Sequence, residues 1–365
     1  MAGSRIAQNA QLKHSTQSTQ SSPTRATRSR RGRQGRLRRW GRRLGIALLA
    51  LLVVIGAVSV WRFVAGPPGV GHFADAEARA RYVTAYDAAM TALPTPTATH
   101  DVRTDLGVVR VYEWVPTGAA DVAEPDDIPV LLLPGRSSGV PMWAENLPTF
   151  AEGRRVLALD ALGDAGISVQ SAPIAELDTQ ARWIDQVVNE LAPDGVHVVG
   201  HSFGGATAAS YAVRHPEDVR SLALLEPVFT LAYPPPGMMA WTVLASLPDL
   251  PQPLREEALG RVGGEDYDNT DPMARMIETG ADWFTAALPT PVPLTEDEAA
   301  RLTMPVYVAI AGRDSLAGGE DVAERAGRLL PDATVQTWPG ATHSLPMQER
   351  EVLGPALADF WRSHS

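Results

Sequence analysis

The sequence predicts an α/β fold: a mostly parallel sheet with helices on both faces and a helical cap inserted between the sixth and seventh strands. Three observations predict it. Short, continuous apolar runs alternate with helical patterns from Val130 to the C-terminus, as buried parallel strands and their crossover helices do. One run, Val196 to Val199, passes through Gly200-His201-Ser202-Phe203-Gly204 directly into a small-residue helix, a strand–turn–helix signature that exposes a serine. The rhythm breaks once, at Pro227 to Thr303, a stretch with Pro234-Pro235-Pro236 and several Met and Trp between two strand candidates.

The elements follow in order. Ala74 to Leu93 reads as an amphipathic helix with Tyr82, Tyr86, Met90 and Leu93 near one face, packing against the domain and stopped by Pro94 and Pro96. Two antiparallel strands, Asp101 to Thr104 and Val108 to Trp114, turn at Asp105-Leu106-Gly107. The parallel strand candidates are Val130 to Leu133, Arg155 to Leu159, Val196 to Val199, Ser221 to Leu225 and Val306 to Ile310, followed by Thr334 to Trp338. Helices are expected near Met142 to Phe150, Ala175 to Leu191, Phe203 to Arg214, Glu320 to Leu330 and Val352 to Ser363. Within the insertion, helical pieces are expected at Met238 to Leu247 and Met273 to Leu288.

Charge divides the chain. Residues 1–43 hold twelve of the 32 basic residues and none of the 42 acidic ones. Residues 44–64 are almost wholly apolar, with Arg62 the one charge; as a helix they span about 31 Å, the thickness of a hydrocarbon core. The expected organisation is therefore a disordered Arg-rich cytoplasmic tail (1–43), a transmembrane signal-anchor (44–64), and a linker with the amphipathic helix (65–100). The core then occupies 101–226 and 304–365, around a cap at 227–303. The arginine cluster is expected to stay cytoplasmic and to put the C-terminal domain outside. A secreted form after signal cleavage is the competing reading, but the leader is long and bulky Trp61 follows Val58-Ser59-Val60. Nucleic acid is not an expected partner: the basic tail directly precedes an apolar span, and the remainder is strongly acidic. The chain has no cysteine, which excludes disulfides, zinc thiolates and a thiol nucleophile.

A serine hydroxyl needs a base, and the base needs an orienting carboxylate. In this topology the partners follow in the order Ser, acid, His, at the ends of later strands. Ser202 is the expected nucleophile. Asp314, ending VYVAIAGRD, is the expected acid, and His343, in GATHSLP, the expected base. Glu226, ending LALLEP beside the serine strand, is the rival acid, with a structural or pocket role expected instead. His201 is expected to brace the turn. Oxyanion donors are expected from the backbone N–H groups of Phe203 and Arg136; the Arg136 side chain is either solvated or meets an acidic substrate group. Met142, Trp143, Met238, Trp241, Trp283 and Leu345 are candidates for an apolar substrate pocket.

With these residues in place, the chain from about Val108 to Trp361 resembles the α/β-hydrolase superfamily. The resemblance rests on LLLPGRSSGVPMW, VLALDALGDAGIS, VHVVGHSFGG, VRSLALLEP, VYVAIAGRD and GATHSLP. It implies structural roles for Asp160 and Ser168, and a cap domain at Pro227 to Thr303. Many members carry His-Gly at the oxyanion loop, where this chain has Pro134-Gly135. The expectation is a membrane-anchored serine hydrolase forming an acyl-enzyme on a small or moderately apolar ester, with no cofactor and no metal. Acyl transfer or perhydrolysis on the same residues, cleavage of short peptides with cap acids such as Glu265 or Asp266 holding the amino terminus, and an inactive binding protein are the alternatives.

Overall fold

The computed structural model describes Trp40, Arg43, 69–116, 126–247, 250–264 and 267–364. The chain divides into two units, residues 1–66 and 67–365. In the first, only Trp40 and Arg43, both helical and exposed, are described, so the expected tail and the apolar run at 44–64 lie outside the described residues, as do Glu265 and Asp266. Among the described residues no helix is long and apolar enough to cross a membrane.

The second unit opens with β1 (His72–Phe73), α1 (Ala76–Met90), β2 (Ala98–Thr104), β3 (Gly107–Trp114) and β4 (Asp126–Leu133). A 3₁₀ turn (Val140–Trp143), α2 (Leu147–Phe150), β5 (Arg154–Leu159), β6 (Val169–Gln170), α3 (Leu177–Leu191), β7 (Val196–His201), α4 (Phe203–Arg214) and β8 (Val219–Leu225) follow. The insertion holds α5 (Pro236–Ala245), α6 (Gln252–Gly263), α7 (Pro272–Trp283), β9 (Phe284–Thr285) and α8 (Glu296–Ala299). The chain closes with β10 (Val306–Ala311), α9 (Glu320–Leu329), β11 (Thr334–Trp338), α10 (Leu345–Gln348) and α11 (Arg350–Arg362).

The main sheet runs β11-β10-β8-β7-β4-β5-β3-β2, with β6 paired to β3. The β2–β3 and β3–β5 pairs are antiparallel; from β5 to β11 every neighbour is parallel. All residues of β7 and of β10 are buried, because alternate side chains point to opposite, equally covered faces. Leu131, Leu133 and Val198 enter one core with Trp183 and Ile184 of α3 and Ala208 of α4. Val130, Leu132 and Val199 enter the other, with Tyr82 and Tyr86 of α1, Phe150 of α2 and Trp361 of α11. The two-residue period thus divides each strand between two apolar layers.

The amphipathic helix expected near the start packs on the domain, its Tyr82 and Tyr86 fully buried. It also reaches the insertion. Gly280 of α7 lies against Tyr82, β1 pairs antiparallel with β9, and the Phe73 and Phe284 rings meet at 4.8 Å. Two expectations are corrected. Met142 to Phe150 is not one helix: Pro141 and Pro148 confine it to the 3₁₀ turn and α2. The helix expected to reach Leu288 ends at Trp283, where the backbone turns extended to pair with β1. A further cap helix, α6, was not foreseen; only Arg255 and Ala258 of it are buried, so it lacks an apolar stripe.

Candidate active site

Ser202 sits between β7 and α4 with φ 55° and ψ −122°, a conformation that costs a residue with a side chain on the order of 1–3 kcal/mol. Its neighbours leave no alternative path for the chain. A Cβ on Gly200 would lie 2.4 Å from the Gly204 carbonyl oxygen, and one on Gly204 would lie 2.3 Å from the carbonyl oxygens of Leu133 and Pro134. The turn is tied into the sheet by Ser202 N–H donating to Leu225 O at 3.0 Å and Val228 N–H donating to Ser202 O at 3.1 Å.

His343 lies in the loop after β11. Its Nε2 is 2.9 Å from Ser202 Oγ, and its Nδ1 is 3.0 Å from Glu226 Oε2. All three residues are buried, Glu226 completely. Because a carboxylate only accepts, Nδ1 carries the imidazole proton and Nε2 is left to accept the Ser202 hydroxyl proton. The arrangement can therefore take a proton from Ser202 while Glu226 holds the ring in the required tautomer.

The expected acid is corrected. Asp314 turns outward, its side chain 62% exposed and 3.9 Å from Arg313. Glu226 takes the place beside His343. The loop after β10, expected to contribute the acid, instead contributes donors to it. Ala311 N–H and Ser315 Oγ–H each donate to Glu226 Oε1 at 2.8 Å, and Ala317 N–H donates to Oε2 at 3.3 Å. Ser315 escaped the sequence reading; its one signal was its place directly after Asp314 on the loop facing the serine strand.

His201 braces this arrangement through Nε2–H, which donates to the His343 carbonyl oxygen at 3.0 Å. Its ring lies 4.9 Å from that of His343. Burial, followed by the nearness of His343, lowers its pKa to about 3, so it stays neutral. Two other histidines are held in pairs of their own: His197 with Ser221 Oγ at 2.8 Å and His100 with Glu113 at 2.6 Å.

The loop after β4 is positioned from below by two buried acids. Asp160 Oδ1 accepts from Val140 N–H at 2.9 Å and from the Tyr86 hydroxyl at 3.1 Å, and Oδ2 accepts from Ile167 N–H at 2.8 Å. Asp164 accepts from Ser137 N–H at 2.7 Å. Ser168 Oγ donates to the Asp160 carbonyl at 2.6 Å. Burial raises the Asp160 pKa to about 6, against the lowering effect of its donors. Gly135 is pressed against the serine: a Cβ there would be 3.1 Å from His201 Nδ1 and 3.3 Å from Ser202 Cβ. Its N–H donates to Met142 Sδ at 3.2 Å, and Arg136 is the next residue on that loop. Phe203 is the first helical residue of α4, where a backbone N–H has no intrahelical acceptor.

The apolar candidates separate. Met142 supports the Gly135 loop. Trp143 and Leu345 are corrected to core residues, fully buried with Phe150, Leu353 and Trp361. Trp283 is also corrected: 39% exposed, it stacks 5.4 Å beneath the Arg81 guanidinium. Met238 and Trp241 are half-buried on α5, with Arg261 5.7 Å above the Trp241 ring. The end of α6 meets the histidine loop, since Thr342 Oγ1 and Ser344 Oγ donate to Gly263 O at 3.0 and 2.8 Å. Among the described residues, Asp185, His215 and Asp218 form the one cluster close enough to share a cation; Asp218 precedes β8, at the sheet end opposite Ser202.

Comparison with known proteins agrees with this fold. Residues 128–256 match the α/β hydrolase fold family. The chain is 24% identical over 296 residues to carboxylesterase YbfK of Bacillus subtilis, covering 79% of this chain and 96% of that protein. The crystal structure of naproxen esterase from B. subtilis superposes with a TM-score of 0.69 at 20% identity, covering 77% of this chain and 97% of that one. That of carboxylesterase CesB (YbfK) does so with a TM-score of 0.69 at 22% identity, covering 78% and 98%. The parallel sheet, covered by helices on both faces, and the serine turn give this chain the α/β-hydrolase fold, and with its likeness to carboxylesterases they make it an enzyme of that fold.

Proposed function

We propose that the protein hydrolyses carboxylic esters of small or moderately apolar character through an acyl-enzyme on Ser202. The observation that carries this reading is the unbroken hydrogen-bond path from Ser202 Oγ through His343 to Glu226. Likeness over most of the chain to proteins named as carboxylesterases supports the substrate class. Ser202 Oγ attacks the ester carbonyl as His343 Nε2 takes its proton, and His343 returns that proton to the departing alkoxide. Water then repeats the sequence on the acyl-enzyme, releasing the acid. Backbone N–H groups of Phe203 and Arg136 are the donors for the oxyanion. The tetrahedral adduct thus forms where a helix N-terminus adds its positive end.

The experiment is hydrolysis of nitrophenyl esters from acetate to palmitate, with fluorophosphonate labelling alongside. Ser202→Ala is expected to abolish labelling and to lower turnover by on the order of 10⁶. Labelling that persists in Ser202→Ala would remove this reading.

The same proposal places the enzyme on a membrane with its catalytic unit outside the cytoplasm. Its support is the apolar run at 44–64 directly after an arginine-rich leader. Alkaline carbonate should leave the full chain with the membrane pellet. Release into the supernatant, with an N-terminus beginning after Val60, is the contrary result.

A further inference from the structure

We infer that Ser315 is a positioning residue for the reaction, fixing which oxygen of Glu226 faces His343; the inference rests on the esterase reading above. A serine hydroxyl has one proton to give and two lone pairs to receive. Both lone pairs of Ser315 Oγ are occupied, by Gly318 N–H at 3.0 Å and Gly319 N–H at 2.9 Å. Its single proton is therefore directed to Glu226 Oε1, 2.8 Å away. The same oxygen receives Ala311 N–H at 2.8 Å.

The two carboxylate oxygens are thus loaded unequally. Oε1 holds two short donors, one from the last residue of β10 and one from the loop after it, while Oε2 has His343 at 3.0 Å and only the longer Ala317 N–H at 3.3 Å. Rotation of the carboxylate would break both Oε1 bonds inside a fully buried pocket, where unmatched polar groups are costly. Ser315 is itself buried, so water does not readily take its place. Its partners Gly318 and Gly319 have φ of 124° and 66°, left-handed conformations that turn successive N–H groups toward one point. Gly319 is also the residue that begins α9. Ser315 thereby links the acid to the start of a helix on the next strand's crossover.

The test compares wild type, Ser315→Ala and Ser315→Thr, using nitrophenyl acetate hydrolysis from pH 5 to 9 and thermal melting. Ser315→Ala should lower kcat about tenfold, the worth of one hydrogen bond to a charged group, with KM unchanged. With one donor gone, the charge on Glu226 is less neutralised and stabilises the His343 imidazolium more, so the acid limb of the profile moves to higher pH. Ser315→Thr, which keeps the hydroxyl, should restore both. An alanine variant with kcat within twofold of wild type and an unmoved limb overturns the inference. So does a lower kcat accompanied by a lower Tm, an unmoved limb and no rescue by threonine, which marks a packing role. A wild-type chain without Ser202-dependent turnover removes the esterase reading and this inference together. Turnover lost in Ser202→Ala but indifferent to Ser315 removes this inference alone.

Discussion

Among the described residues, Ser202, Glu226 and Asp314 all adopt left-handed backbone, with φ of 55°, 48° and 45°. Such conformations survive in side-chain-bearing residues only where the surroundings enforce them. At Ser202 and Glu226 the strain aims a functional group at His343. At Asp314 it turns the carboxylate to solvent. Sequence could identify all three as strand-terminating residues, since apolar runs end visibly at each, but the direction of the next bond is set by contacts from other strands. Ser202 and His343 were legible because glycines and chain order left few other roles. Choosing between two strand-end acids needed the donors of residues 311–317. The expected outcome is a loss of about 10⁴ in kcat for Glu226→Gln, whose amide would favour the wrong imidazole tautomer. Asp314→Asn should stay within about threefold of wild type, because surface changes away from such features are small. Steady-state hydrolysis of one nitrophenyl ester checks both.

The strands of the sheet, apart from the two-residue β6, were readable to within a few residues because burial on two faces writes itself as unbroken apolar runs. The cap was not. Helix α6 has no apolar stripe, and β1 and β9 are two residues each, too short for any period to show. Their placement comes from partners distant in sequence. Gly264, which ends α6 with φ 76°, illustrates this: a Cβ there would lie 2.3 Å from Thr342 Cβ. Gly264→Ala should therefore push apart the cap helix and the loop carrying His343. A destabilisation of about 1–3 kcal/mol is expected from overpacking, read as a lower urea midpoint, together with reduced kcat. A neutral variant would mean that the two segments part without consequence.

Acid response is a property of the molecule as a whole, set by opposing buried groups. Unfolded His201 binds a proton near its ordinary value of 6.5, whereas the folded state refuses one until about 3. Between those values the unfolded chain holds more protons, so acidification destabilises by up to about 1 kcal/mol per pH unit. Asp160 acts oppositely. Its folded pKa of about 6 exceeds its ordinary 3.8, so the folded state holds more protons between those values, and the stability gained by acidification is lost again as pH rises through 6. The two effects offset each other from about pH 4 to 6. His201→Asn should remove the destabilising slope and leave a chain that gains stability relative to wild type as pH falls through that window. Urea unfolding at pH 4, 5 and 6 measures it, and parallel curves for variant and wild type would refute it.

Strand register has a consequence of another kind. β10 runs parallel to β8, with Val306 beside Leu222 and Ala309 beside Leu225, so the insertion leaves the sheet next to Glu226 and re-enters at the opposite end of the neighbouring strand, which then carries the chain back to the amides that hold Glu226. The insertion is thus tied to the sheet at both ends and, through Gly263, to the loop carrying His343. A foreign segment spliced between those points would leave the donors of Glu226 in place but remove the acceptor that Gly263 offers Thr342 and Ser344. Wholesale exchange of the insertion would have to restore that acceptor, or the loop carrying His343 loses its tether.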